Sequence, residues 1–217
     1  MKLRLNKAHF PVTTLGPGRR IGLWTQGCHL RCRGCVSQDT WEEDADRLID
    51  ISVLLDWCRT VSGDALDGVT ISGGEPFEQP EALAVLLDGL HAWRIERGIP
   101  FDILCYSGLP RVLLERDYAN LLARLDALIP EPFQEKRPRG SIWRGSDNQP
   151  LILLSPFGQT RYAPYLAGSA VIGKRFQIAV DSEAIWCIGI PERGDMAALE
   201  AVCAARGLHF GGVSWRS

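Results

Sequence analysis

The chain has 217 residues, 46% of them hydrophobic and 23% charged, with a net charge of −2. That is ordinary globular composition with enough length for one sizeable core, and the balanced charge gives no electrostatic case for nucleic acid or a membrane surface. No stretch approaches the ~20 apolar residues of a membrane span, and Met1-Lys2-Leu3-Arg4-Leu5-Asn6 is not followed by a signal-peptide core, so a cytoplasmic protein is expected.

In chain order, Arg20–Thr25 reads as a strand feeding a cysteine loop. Residues 44–61 carry Leu48, Ile51, Leu54, Leu55 and Cys58 at helical spacing. Asp67-Gly68 is a turn, and 69–72 a short buried strand ending in Gly73-Gly74-Glu75-Pro76. Pro80–Arg97 has proline at its start and Leu83, Leu86, Leu87, Leu90 and Trp93 on one face, with Gly98 to stop it. A strand at 101–106, a helix at 110–125 broken near Asp117, and a strand at Ala127–Ile129 follow. Strand and helix alternating in this way predict crossover units and a parallel sheet.

The pattern then changes. Residues 130–145 hold three prolines with Lys136, Arg137, Arg139 and Arg144, a basic loop composition. Residues 151–154 are apolar and short, and 155–173 show no period. Residues 175–190 predict two strands about a turn near 181–183. A helix capped by Asp195 spans 195–205, Gly207 stops it, and 208–213 reads as a last strand. These features predict a core of residues 1–155 and a small α+β extension of 156–217.

Seven cysteines stand at 28, 32, 35, 58, 105, 187 and 203. An odd number with three clustered argues against a disulfide framework and for a reducing compartment. Cys58, Cys105, Cys187 and Cys203 have apolar neighbours and are read as small core residues. Cys28, Cys32 and Cys35 form C-x3-C-x2-C, three donors for a group that wants four. His29 is too close in sequence to Cys28 to share its ion, and His9, His91 and His209 are isolated. The spacing suits three irons of a cubane better than closed zinc, but does not decide between them. Two glycines at a strand end let backbone approach a ligand, and strand C-termini are where ligands bind in parallel α/β sheets. The tryptophans at 24, 41, 57 and 93 read as core residues.

The flanks add a resemblance. C-x3-C-x2-C after one strand and Gly73-Gly74-Glu75-Pro76 after the next resemble the radical S-adenosylmethionine superfamily. Gly16-Pro17-Gly18-x-Arg20, Trp24-Thr25-Gln26-Gly27-Cys28 and Asp39-Thr40-Trp41 resemble its glycyl-radical-enzyme activating proteins. Ile142-Trp143-Arg144-Gly145-Ser146-x-Asn148-Gln149 is similar to a segment of the anaerobic ribonucleotide reductase activating family. The resemblance covers about residues 10–155.

It implies an incomplete parallel (β/α) barrel. It implies a 4Fe-4S cluster on Cys28, Cys32 and Cys35, with S-adenosylmethionine on the open iron. Gly73, Gly74 and Glu75 would hold the methionine amino end, backbone at Gly34 and Val36 would lie along the adenine, and Ser107, within Tyr106-Ser107-Gly108, near the ribose or methionine. One electron would cleave the sulfur–C5′ bond, and a 5′-deoxyadenosyl radical would take a hydrogen atom from the substrate, most simply the glycine of an enzyme acting in trans. A flavodoxin-like or ferredoxin-like protein would supply the electron.

Three departures bear on the target. Gly34 stands where larger activating proteins carry an aromatic residue, Ile129-Pro130-Glu131-Pro132-Phe133 replaces an Asp-Gly turn, and residues 156–217 exceed the short family pattern. Two alternatives follow: radical chemistry on a peptide, nucleotide or small metabolite, or a non-catalytic iron–sulfur or zinc module.

Overall fold

The computed structural model describes all residues except 138, 139, 141, 167–175, 183, 184, 193 and 217. Strands β1 (Lys2–Val12), β2 (Arg20–Thr25), β3 (Leu48–Asp50), β4 (Gly68–Gly73), β5 (Asp102–Tyr106), β6 (Ala127–Ile129) and β7 (Ile152–Leu153) form one sheet in the order β3-β1-β2-β4-β5-β6-β7. The four central strands, β2, β4, β5 and β6, are parallel; β1, β3 and β7 join antiparallel. Register aligns Thr25 with Gly73, Ile71 with Cys105, and Tyr106 with Ile129. The loops after all four parallel strands therefore leave from one edge.

Helices α1 (Ile51–Ser62) and α2 (Pro80–Arg97) cover this sheet. Ile51, Leu54, Leu55 and Cys58 of α1, and Leu83, Leu86, Leu87, Leu90 and Trp93 of α2, join Leu23, Val69, Ile71 and Ile103 in one core. These are the positions the 3.6-residue period selects. A Cβ at Gly89 would lie 2.3 Å from a Leu55 methyl, so glycine sets how closely α1 and α2 approach. Helices α3 (Arg111–Asp117) and α4 (Ala119–Leu122) divide at Asp117 as the sequence predicts. No helix among the described residues is long and apolar enough to cross a membrane.

Four expectations change. The helix predicted from 44 begins at Ile51: Asp44 caps a single 3-10 turn, and 48–50 pair with 2–4 of β1, a tertiary pairing that helical spacing does not reveal. Helix α5 (Pro156–Tyr162) arises where no period is visible; at seven residues it is too short to show one, but Ser155 accepts the Gly158 N–H as its cap. Helix α6 (Asp195–Ala204) is preceded by Gly194 at its cap, while Asp195 accepts from Glu192 N–H. Residues 208–213 form no strand: Leu208 N–H donates back to the Cys203 carbonyl of α6, and the next residue along, Ser214, bonds to the loop after the cysteines.

Strands β8 (Phe176–Val180) and β9 (Ile185–Gly189) form the expected hairpin, although Arg175 and the turn residues 183 and 184 lie outside the described residues. Most of 155–173 beyond α5 and its following turn, and Arg139 of the basic run, do too. The hairpin is fastened to β1 and the residue just after it: Thr13 N–H donates to Gln177 Oε1 (2.9 Å), Gln177 Nε2 to Pro11 O (2.7 Å), and Trp186 stacks on His9 at 4.7 Å. Helix α5 belongs to the main sheet, because Tyr162 is fully buried and its hydroxyl donates to Asp102.

Candidate active site

The end of the sheet opposite the site carries a clasp. Arg20 opens β2, Gly68 opens β4 and Asp102 opens β5. The Arg20 guanidinium is fully buried and donates to both Asp102 oxygens (2.9 and 2.6 Å), to Thr70 Oγ1 (2.6 Å) and to the Pro17 and Val69 carbonyls. Burial opposes its charge, but Asp102 more than offsets this and keeps it protonated. A Cβ on Gly16 would sit 2.6 Å from Arg20 Nε, and one on Gly68 2.2 Å from Nη1. The Gly16-Pro17-Gly18-x-Arg20 motif thus makes room for a buried ion pair that pins the strand starts.

At the other edge a cavity of about 420 Å³ opens. Cys28, Cys32 and Cys35 line it, together with Gly34 and Val36 from the same loop. Gly73 joins from the end of β4 with Gly74 and Glu75 of the loop after it, and Tyr106 from the end of β5 with Ser107 and Gly108. Every site residue expected from the sequence therefore meets in one space. Three non-glycine residues with left-handed backbone, Arg31, Glu131 and Trp143, sit in the loops around it, the kind of local strain that surrounding structure must enforce.

Backbone amides of Leu30 and Arg31 approach the Cys28 sulfur, that of Phe133 approaches Cys32, and Ser37 N–H lies 3.4 Å from Cys35. Burial still dominates: it pushes the Cys28 thiol up to about 11 and raises Cys32 and Cys35 too. Burial thus favours the thiol form, and a bound metal would displace that proton. Among the described residues, no three His, Cys, Asp or Glu side chains gather tightly enough to hold one metal ion. Three thiols with amides aimed at sulfur fit the donor set of an iron–sulfur cluster, whose irons each take one thiolate.

The two glycines do something the sequence does not reveal. A Cβ on Gly73 would lie 2.4 Å from Thr25 N, and one on Gly74 2.2 Å from Gly27 O. Their close approach is to the chain's own cysteine loop: Gly74 N–H donates to Thr25 O and Glu75 N–H to Gly27 O, each at 2.8 Å. Glu75 is fully buried and no solvated carboxylate. It accepts from Phe77 N–H (3.1 Å), Ser107 Oγ (2.9 Å) and Gly108 N–H (2.7 Å), tying the loops after β4 and β5 together. Burial raises its pKa to about 7 against these three donors.

Trp143–Gln149 locks the loop after β6. Asn148 Nδ2 donates to Pro132 O, Gln149 Nε2 to Glu131 O, and Gln149 Oε1 accepts from the Gly145 and Ser146 amides. Tyr106 Oη donates to Trp143 O (2.8 Å), and Phe133, Gly145 and Gln149 reach the cavity. Arg144 is half-buried against the Gln149 carbonyl (3.5 Å), while Lys136 and Arg137 are exposed.

The extension, for which the sequence leaves capping the site, binding a partner or extending the core all open, supplies a wall whose residues the sequence does not single out: Phe176, Trp186, Cys187, Ile188, Met196 and residues 210 and 212–215 line the same cavity. Cys58 and Cys105 are buried as expected; Cys187 and Cys203 are only half-buried, because a hairpin and one helix are too thin to enclose them. The signal that could have located this wall is aromatic density: Trp186, Phe210 and Trp215 stand within the last 32 residues.

Comparison with known proteins agrees with this geometry. Residues 14–152 match the family described as 4Fe-4S single cluster domain. The anaerobic ribonucleoside-triphosphate reductase-activating protein of Haemophilus influenzae is 30% identical over 146 residues, covering 65% of this chain and 92% of that protein. The protein of the same name from Enterobacteria phage T4 is 27% identical over 136 residues, covering 63% and 85%. The pyruvate formate-lyase-activating enzyme of Staphylococcus epidermidis is 33% identical over 136 residues, covering 59% and 52%. The family match ends before β8, β9 and α6 begin. This chain belongs to the 4Fe-4S single cluster domain family, among the radical S-adenosylmethionine activating enzymes.

Proposed function

We propose that this chain installs a glycyl radical on a partner enzyme in trans, of the anaerobic ribonucleotide reductase kind. One observation carries the reading: the cysteine loop, the Gly73-Gly74-Glu75 loop and the Tyr106-Ser107-Gly108 loop line one cavity at the parallel strand ends. Cys28, Cys32 and Cys35 would hold the 4Fe-4S cluster, with Gly34, Val36, Gly73, Gly74, Glu75 and Ser107 around S-adenosylmethionine. When bound, the reduced cluster supplies the electron that cleaves S-adenosylmethionine to methionine and the 5′-deoxyadenosyl fragment that takes the substrate's hydrogen atom. The chain's own residues orient and exclude water. Glu75, buried at the cavity, fixes the loops after β4 and β5 to each other, and Tyr106 and Gln149, which also line the cavity, fix the Trp143–Gln149 segment and the loop after β6. We place the protein in the cytoplasm, served by a flavodoxin-like or ferredoxin-like donor, with residues 1–155 as the radical core and 156–217 as an extension whose first helix packs on it.

Anaerobic incubation with dithionite, S-adenosylmethionine and an anaerobic ribonucleotide reductase should give a glycyl signal in electron paramagnetic resonance, and its absence would count against the partner. Cys28→Ala, Cys32→Ala or Cys35→Ala should each abolish iron binding; full iron content in any of them would break the cluster assignment. A second reading, radical chemistry on a peptide, nucleotide or small metabolite, is favoured by one observation, the extension's wall over the cavity. Formation of 5′-deoxyadenosine with no glycyl signal on any partner would select it.

A further inference from the structure

The strap that follows α6 runs along the cavity wall. Phe210, Gly212, Val213, Ser214 and Trp215 line the same space as the three cysteines. Its seat is the backbone just after the third cysteine. Gln38 N–H and Asp39 N–H both donate to Ser214 O (2.7 and 3.4 Å), and Ser214 Oγ donates to Val36 O (2.9 Å). Phe210 and Trp215 meet edge to face with centroids 6.1 Å apart, closing a loop with Gly211-Gly212-Val213-Ser214 between them. Trp215 Nε1 and Arg216 fasten the far end to Glu200 of α6.

The fold does not require the two glycines in this loop. A Cβ on Gly211 or Gly212 would meet nothing within 4 Å, and neither residue has a left-handed φ. Ordering glycine costs more chain entropy than ordering alanine, so its use here has no packing return. At Gly73 and Gly74 the opposite holds, since a Cβ at either would strike backbone.

We infer that the backbone of residues 36–39, with the apolar face of the extension, is a binding site for a glycine-bearing peptide loop of the substrate, and that the strap occupies it until the substrate's loop displaces it. The inference rests on the radical-enzyme reading above. The recognition chemistry is that of the strap. Two adjacent N–H groups take a peptide carbonyl, the Val36 carbonyl takes a hydroxyl or amide, and the aromatic wall takes apolar residues flanking the glycine. The strap's seat on residues 36–39 is made of backbone and hydroxyl hydrogen bonds at Ser214, neutral contacts that suit an occupant meant to leave.

The test compares the full chain with one ending at Gly207, using a dye-labelled synthetic peptide of the 208–217 sequence and fluorescence anisotropy. Removing the tethered competitor should tighten peptide binding by about tenfold or more. Ser214→Ala in the full chain, which keeps α6 and the hairpin, should tighten it by a few-fold, in line with loss of one hydrogen bond. A peptide with the same residues scrambled should not bind. The proposal is overturned if the shortened chain, with normal iron content and S-adenosylmethionine cleavage, ignores the peptide, or if Ser214→Ala leaves binding unchanged. Loss of S-adenosylmethionine cleavage in the full chain overturns the radical-enzyme reading instead, whatever the anisotropy gives.

Discussion

The cavity has two walls of unlike construction. The strand-end wall is jammed: Gly73 and Gly74 press on backbone, Glu75 is buried with three donors, and the strand starts below are pinned by Arg20 and Asp102. The extension wall is loose. Helix α6 has no buried residue, and Ile178 and Val180 of the hairpin are 54% and 72% exposed. A reactive fragment must be generated in a fixed geometry, whereas a lid or docking segment must yield, and yielding elements come from the low-stability end of a structure. Under the proposed function, the contrast suits the first wall to reagent handling and the second to target handling.

The largest test of this contrast lies at the clasp. Asp102→Ala strands the Arg20 charge in the core and should cost about 3–5 kcal/mol, a drop of roughly 10 °C in the unfolding midpoint. A loss under about 1 kcal/mol, within the range of ordinary surface changes, would mean that the strand starts do not need pinning. Next comes Glu75. Its folded pKa, about 7, stands above the ordinary 4.5. The protonated form is therefore favoured by folding, and the stability this contributes is complete below about pH 4.5 and lost as pH rises through 7. The span is up to about 3 kcal/mol. Denaturant unfolding of the iron-free protein should show that slope between pH 4.5 and 7, and Glu75→Gln should remove it.

The two glycine pairs give the sharpest comparison. Gly74→Ala drives a methyl into the Gly27 carbonyl and should cost about 1–3 kcal/mol, with loss of iron as the cysteine loop shifts. Gly212→Ala meets open space and should be neutral or stabilising by up to about 1 kcal/mol. Equal costs at both sites, read by thermal unfolding, would erase the distinction between the walls. Smallest of all, Val180→Ser should change stability by no more than about 0.5 kcal/mol; a larger loss would show that the hairpin's outer face is covered in solution.

Much of the strand-end wall was legible from sequence because its signals are local. The periodicity of α2, the stop at Gly98, the break at Asp117 and the strand 127–129 all follow from neighbours within a few residues. Strand β1 is harder to read: Lys2-Leu3-Arg4-Leu5-Asn6 alternates, but its role as the antiparallel partner of β2 depends on residues up to some twenty positions away. The helix start at Ile51 was obscured for the same reason, since 48–50 are claimed by β1.

The sequence by itself determined the chemistry on offer: three thiols at C-x3-C-x2-C, a Gly-Gly-Glu loop at a strand end, and the family these resemble. Donor spacing and glycine placement are fixed by covalent connectivity, which needs no fold to be read. Only the tertiary structure decided that Arg20 faces Asp102 across 82 positions, that Gly73 and Gly74 make room for backbone, and that Ser214 rests on Val36 across 178. Those contacts join residues whose meeting depends on strand order and burial, and the last of them makes a segment that reads as a strand into a wall of the site.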